Sequence, residues 1–190
     1  KRAIIADSSY ALAHAGLCAS YMRMWQRNEE PRFAIMAEQS CEIALEHQSD
    51  LNSVYVTLGQ LHTLTGRYGT ALGEFQLALS NEPSNAEALI GMASTYKALG
   101  RLEEAEELFE DALVVHRQFA NRRFEAMTLD NLGILHRQLG NTALARKHHE
   151  AALEIVRSSG YRASEADTLD GLGQVLLDEG HVEAAREHVE

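Results

Sequence analysis

Apolar residues along this chain recur at spacings of three and four, the period of a helix with one buried face. Between Tyr55 and Pro83 the marked positions are Tyr55, Leu58-Gly59 and His62, then Ala71, Phe75 and Ala78. Thr65-Gly66 divides the stretch into two helices, because Gly takes the left-handed geometry of a helix C-cap. Asn81-Glu82-Pro83-Ser84-Asn85 ends the second helix. The same order returns as Leu89, Met92-Ala93, Tyr96, Gly100, Ala105, Phe109 and Ala112. A single offset carries Ala71 to Ala105, Phe75 to Phe109 and Ala78 to Ala112. The period then lengthens, by the same amount from Ala105 to Ala145 and from Ala145 to Ala185.

The last two copies match closely. Glu125-Ala126, Thr128-Leu129-Asp130, Leu132-Gly133, Gly140, Ala145-Arg146 and His148 return as Glu165-Ala166, Thr168-Leu169-Asp170, Leu172-Gly173, Gly180, Ala185-Arg186 and His188. Their extra residues predict lengthened helices around HRQFANRRF and VRSSGYRAS. An earlier copy runs through YALAHAGLCASYMRMW and FAIMAEQSCEIAL, with Leu17, Cys18 and Tyr21, then Ala37, Cys41 and Ala44, in the equivalent slots. Asp7-Ser8-Ser9 offers N-cap residues for its first helix. The stretch from Tyr21 to Ala37 is longer than its counterpart from His62 to Ala71, so an irregular loop around Trp25 to Glu30 is expected.

Small slots such as Gly59 with Ala71, Ala93 with Ala105 and Gly133 with Ala145 let paired helices approach closely. Large slots such as Tyr55, Leu58 and Phe75 fill the space around each crossing. A single pair cannot bury its apolar face alone, so each is stable only with neighbours.

The spacing Tyr55, Leu58-Gly59, His62, Ala71, Phe75, Ala78, Pro83 resembles the tetratricopeptide repeat, and the resemblance covers nearly the whole chain. The offset from Ala71 to Ala105 fits the usual period of that repeat, about 34 residues. Departures are the missing Trp in the first large slot, His149 or Val189 where Phe is usual, and the lengthened last copies. The resemblance implies an all-α, right-handed α-solenoid of about five antiparallel helix pairs, with repeats at approximately 8–50, 51–85, 86–121, 122–161 and 162–190. It implies a non-catalytic scaffold that binds a protein or peptide in a concave groove lined by the first helix of each pair. By spacing, the residues one face round from the packing slots are Val56, Gln60 and Thr63; Ile90, Ser94 and Lys97; Asp130, Ile134 and Arg137; and Asp170, Gln174 and Leu177. Ala15, Ala19 and Met22 are their counterparts in the first copy. Val56, Gln60, Ile90 and Ser94 do not match the Lys and Asn of members that clamp a terminal carboxylate. The repeats resemble those attached to bacterial signalling kinases, cyclases and large regulators, and such a parent is what the resemblance implies.

Composition narrows the partners. A formal net charge of −11 disfavours nucleic acid and anionic membrane. No apolar run is long enough to span a membrane. Cys18 and Cys41 fall in core-type slots and are expected to be buried free thiols of a cytoplasmic protein. The ends lack an initiator Met and stop within a helical pattern, so a piece of a longer protein is expected.

Catalytic and cofactor chemistry finds little footing. The nine histidines include no i, i+4 pair with a nearby acid, and the adjacent His148-His149 point to different helix faces. His62 and His136 sit in packing slots. His181-Val182-Glu183 mimics part of a zinc-deaminase signature, but the later Cys pair is missing. Gly66-Arg67-Tyr68-Gly69 and Gly171-Leu172-Gly173 follow no strand and read as turn and crossing glycines. Glu103-Glu104 with Glu106-Glu107, and Arg146-Lys147-His148-His149, read as solvated helix faces. No metal, cofactor or catalytic residue is assigned. The alternative to a binding groove is a structural spacer or self-association segment, a homodimer pairing through the open C-terminal repeat.

Overall fold

A computed structural model of the chain describes residues 2–160 and 162–181. Among these residues it contains nine α-helices and no strand. They are α1 (Arg2–Asn28), α2 (Pro31–His47), α3 (Asn52–Leu64), α4 (Tyr68–Asn81), α5 (Ala86–Ala98), α6 (Leu102–Gln118), α7 (Arg122–Gln138), α8 (Thr142–Ser159) and α9 (Arg162–Asp178). The sequence counterpart of a tenth helix, with Ala185, Arg186, His188 and Val189, lies outside the described residues.

One hydrogen-bonding device closes several of the helix pairs. At the end of α3, the Gly66 amide donates to the Thr63 carbonyl and the Arg67 amide to the His62 carbonyl, at 3.1 and 2.8 Å. Gly66 has φ +76°, which a residue with a Cβ adopts only at a cost. The ends of α5, α7 and α9 repeat these bonds. Entry is less uniform; Asn85 caps α5 by accepting the Ala88 amide at 3.0 Å.

The chain divides into two compact units, residues 1–95 and 96–190. In the first, α1 packs on α2, α3 on α4, and α3 on both α1 and α2. Its core holds Cys18, Cys41, Ala44, Val54 and Leu58 in one cluster, and Val56, Ala71, Phe75, Ala78 and Ala88 in another. The Phe75 ring fills the space left by two glycines: a Cβ on Gly59 would lie 2.7 Å from it, and one on Gly91 would collide with it. In the second unit, α7 packs on α8 and both contact α9. There the ring between the glycines is His149, fully buried, with the Cβ positions of Gly133 and Gly171 at 2.6 and 2.5 Å from it.

Several expectations are corrected. The first helix begins at Arg2, so Asp7-Ser8-Ser9 do not cap it. It continues through Trp25 to Asn28, leaving only Glu29 and Glu30 between helices. The extra length is a longer helix, because Tyr21, Met22 and Trp25 keep the helical spacing and cluster with Ala34, Ala37 and Leu61. Leu17, assigned a packing slot, is 43% exposed. Cys18 and Cys41 are not free thiols. They form a disulfide between α1 and α2, with Cα atoms 5.2 Å apart, a separation ordinary for the bond. Arg146-Lys147-His148-His149 do not form one solvated face, since His149 is fully buried and His148 half-buried.

Candidate functional site

In the first unit, α3 and α5 lie side by side and their expected groove residues largely satisfy one another. Gln60 donates to Glu87 at 3.3 Å. The Thr63 and Thr95 hydroxyls meet at 2.7 Å, one donating to the other. Val56 is 2% exposed and Met22 3%, so neither lines a groove: both pack into the core. Ala15, Ala19, Ile90 and Ser94 are half-buried. The face that helical spacing assigns to solvent is here partly covered by the adjacent helix, which a single-helix pattern does not contain.

In the second unit the corresponding face is more charged, and its polar residues likewise engage neighbours. Asp130 and Arg137 project from α7, and Asp170 and Gln174 from α9. Arg137 pairs with Asp178 across the two helices at 3.2 Å, and Gln174 donates to Asp170 within α9 at 2.6 Å. Ile134 is half-buried and Leu177 is 52% exposed. Lys97 is half-buried; burial pushes its ammonium below the ordinary lysine range, opposed by attraction to Asp130. Asp130 Oδ1 accepts a 2.8 Å hydrogen bond from His149 Nδ1. A cleft of 210 Å³ opens beside it, lined by Ala126, Met127, Asp130 and Asn131 of α7, Val156 of α8, and Ser164, Asp167 and Thr168 of α9.

Two cavities of the first unit carry no residue of the expected groove. One, of 940 Å³, is lined by Trp25, Pro31, Ala34, Ile35, Glu38, Leu64 and Arg67 among others. The Arg67 guanidinium donates to both Glu38 oxygens, at 2.7 and 3.1 Å, and His62 Nε2 approaches Glu38 at 3.2 Å. Hydrogen bonding from Arg67 holds the Glu38 carboxyl below the usual range, while burial pushes the His62 imidazole down. The other cavity, of 480 Å³, gathers Glu42, Glu46 and Glu74 around Tyr55 and Leu58, and burial pushes the Glu74 carboxyl up. The sequence signal near the first is Trp25, expected in an irregular loop. Among the described residues no group of three or more His, Cys, Asp or Glu side chains is set to hold a metal ion.

The family model for the tetratricopeptide repeat matches residues 84–158 and 124–190, more than half the chain. The chain belongs to the tetratricopeptide repeat family. Its helix pairs are therefore tetratricopeptide units, and such repeats are generally non-enzymatic scaffolds for protein–protein interaction. Solved structures share the fold. The PilF protein of Pseudomonas aeruginosa superposes at a TM-score of 0.73 with 18% identity, over 93% of this chain and 75% of that one. BtubC (BKLC) from P. vanneervenii gives 0.73 at 20% identity, over 97% and 88% of the two chains. The apo form of RapI gives 0.76 at 18% identity, over 93% and 67%. At these identities the likeness concerns the fold alone. No curated protein matches the chain. Among the described residues no helix is long and apolar enough to cross a membrane.

Proposed function

We propose that this chain is a tetratricopeptide interaction module of about five repeats that captures an extended protein segment along its first-helix face. The binding surface is the α7–α9 face, where Asp130, Ile134, Arg137, Asp170 and Gln174 stand on packed helices. The observation that supports this reading is the open cleft between α7 and α9, whose lining includes Asp130, with a second carboxylate oxygen able to accept beside its bond from His149. Side chains already ordered on packed helices lose little freedom when a ligand docks, which lowers the cost of binding. In the first unit, by contrast, Val56 is buried and Gln60 and Thr63 are engaged with Glu87 and Thr95. That unit contributes less to the surface than equal weighting of the repeats predicts.

The test is selection of a displayed library of random dodecapeptides on the chain, followed by amide NMR mapping of the enriched peptides. Shifts should cluster on α7 and α9. Asp130→Lys and Asp170→Lys should each weaken binding by about tenfold or more, the scale of a misplaced charge at an interface. Undiminished binding by both variants would place the site elsewhere. The alternative of pairing through the C-terminal repeat turns on Leu172, Val175 and Leu176, which are buried, and on residues 182–190, outside those described.

A further inference from the structure

The slot between successive small residues is filled by Phe75 in the first unit and by His149 in the second. Packing alone calls for an apolar ring there, since Gly59 and Gly91 accommodate Phe75 just as Gly133 and Gly171 accommodate His149. The imidazole is costlier to bury than a phenyl ring. Its Nε2 is buried without a hydrogen-bond partner, and only Nδ1 is satisfied. What the imidazole adds is its 2.8 Å bond to Asp130 Oδ1. Asp130 is four-fifths buried on one wall of the α7–α9 cleft, and its Oδ2 keeps acceptor capacity.

The other polar cleft residues are Asn131, Ser164, Asp167 and Thr168, and no basic side chain lines it. Asn131 donates to the Met127 carbonyl, and Thr168 donates to the Ser164 carbonyl, so both spend hydrogens inside their own helices. What remains toward the cleft is two carboxylates and further lone pairs, beside one Asn131 amide hydrogen and the Ser164 hydroxyl, within a chain of net charge −11. The charge complementary to that lining is a donor-rich cation.

We propose that this cleft receives a lysine or arginine side chain from the captured segment, with Asp130 accepting its hydrogen bonds and His149 as the positioning residue that fixes the carboxylate. The proposal rests on the groove reading above and adds to it the ligand chemistry and a role for a buried residue. Lys97 is the internal competitor, because its half-buried ammonium already feels the Asp130 charge. Removing Lys97 should therefore tighten binding of a cationic segment.

The experiment uses the enriched dodecapeptides, each synthesised with its basic residue intact and with norleucine in that place. Basic residues should be enriched, and norleucine or Asp130→Asn should each weaken binding by about tenfold, as for a lost charge-assisted contact. His149→Phe should keep the parent melting temperature or exceed it, since Phe75 shows that the slot holds a phenyl ring. It should nonetheless weaken the basic peptide by about threefold to tenfold and leave the norleucine peptide unchanged, a coupling that a purely structural role does not produce. Lys97→Met should strengthen the basic peptide. Enriched peptides without Lys or Arg, or indifference to Asp130→Asn, overturn the proposal while the groove reading stands. Equal affinity in His149→Phe removes the positioning role, and weaker binding in Lys97→Met points to an anionic ligand instead. If no peptide is enriched, the groove reading fails and this proposal with it.

Discussion

His62, His136, His148 and His149 are wholly or partly buried, and they meet the resulting desolvation in two ways. His62 borrows Glu38 from α2, His136 lies 3.7 Å from Glu106 of α6, and His149 engages Asp130. His148 has no such carboxylate. It stacks on His136 with ring centroids 5.0 Å apart and planes 7° apart. Burial, then the charges of His136 and Lys147, push its imidazole down to about 4. The consequence for stability has a definite sign. Between about pH 6.5 and 4 the unfolded chain binds a proton at His148 that the folded chain refuses, so stability falls as pH drops through that window and levels off below it. Allowing for partial exposure, the loss is about 1–2 kcal/mol. Melting curves should show His148→Gln losing less stability than the parent between pH 7 and 4; parallel losses would sink the assignment. The packing slots of His62 and His136 were legible in the sequence. Their carboxylate partners were not, because Glu38 and Glu106 stand on the preceding helices α2 and α6, and slot spacing carries no cross-helix address.

Between helices, a ring set against two glycines determines how closely neighbours approach. Gly59 and Gly91 meet Phe75 from α3 and α5, so an added methyl at either must displace the ring or the helix. Gly91→Ala should cost about 1–3 kcal/mol, the range for overpacking a filled core. Adding Phe75→Leu to it should recover part of that loss, because the smaller side chain vacates the space the methyl needs. Denaturant midpoints of the single and double variants decide this, and additive losses would mean that ring and glycine do not share the space. Ala105→Leu, at another fully buried slot, should cost a similar amount by thermal melting. These small-and-large alternations were readable because they repeat. The extension of α1 was not. Extra residues within a pair fit a longer helix as well as a loop, and the choice was made by packing of Trp25 against residues of α2 and α3. On α7 and α9 the stripe that spacing marks is half-buried at Asp130, Ile134, Arg137 and Gln174 and exposed at Asp170 and Leu177. On α3 it misassigned Val56, whose cover comes from α4 and α5.

At the scale of the whole chain, the Cys18–Cys41 bridge belongs to one unit alone. It closes a loop of 23 residues within residues 1–95, and both cysteines are essentially buried. The core slots of the two residues were legible, but not their bond, because pairing depends on how α1 and α2 cross. Constraining a loop of this size in the unfolded chain stabilises the folded state by about 3 kcal/mol. Repeat proteins distribute stability locally and through nearest neighbours, so that contribution is centred where the bridge lies. The chain carries its own reporter, since its single Trp is Trp25 in the same unit. Urea unfolding followed by Trp25 fluorescence should shift to lower denaturant when the bridge is reduced. Helical circular dichroism, which sums both units, should then broaden or split, because residues 96–190 contain no cysteine to respond. Cys18→Ala with Cys41→Ala, measured without reductant, should reproduce the reduced curve. If fluorescence and dichroism shift together and stay superimposed, the two units unfold as one cooperative body and the bridge stabilises the whole of it.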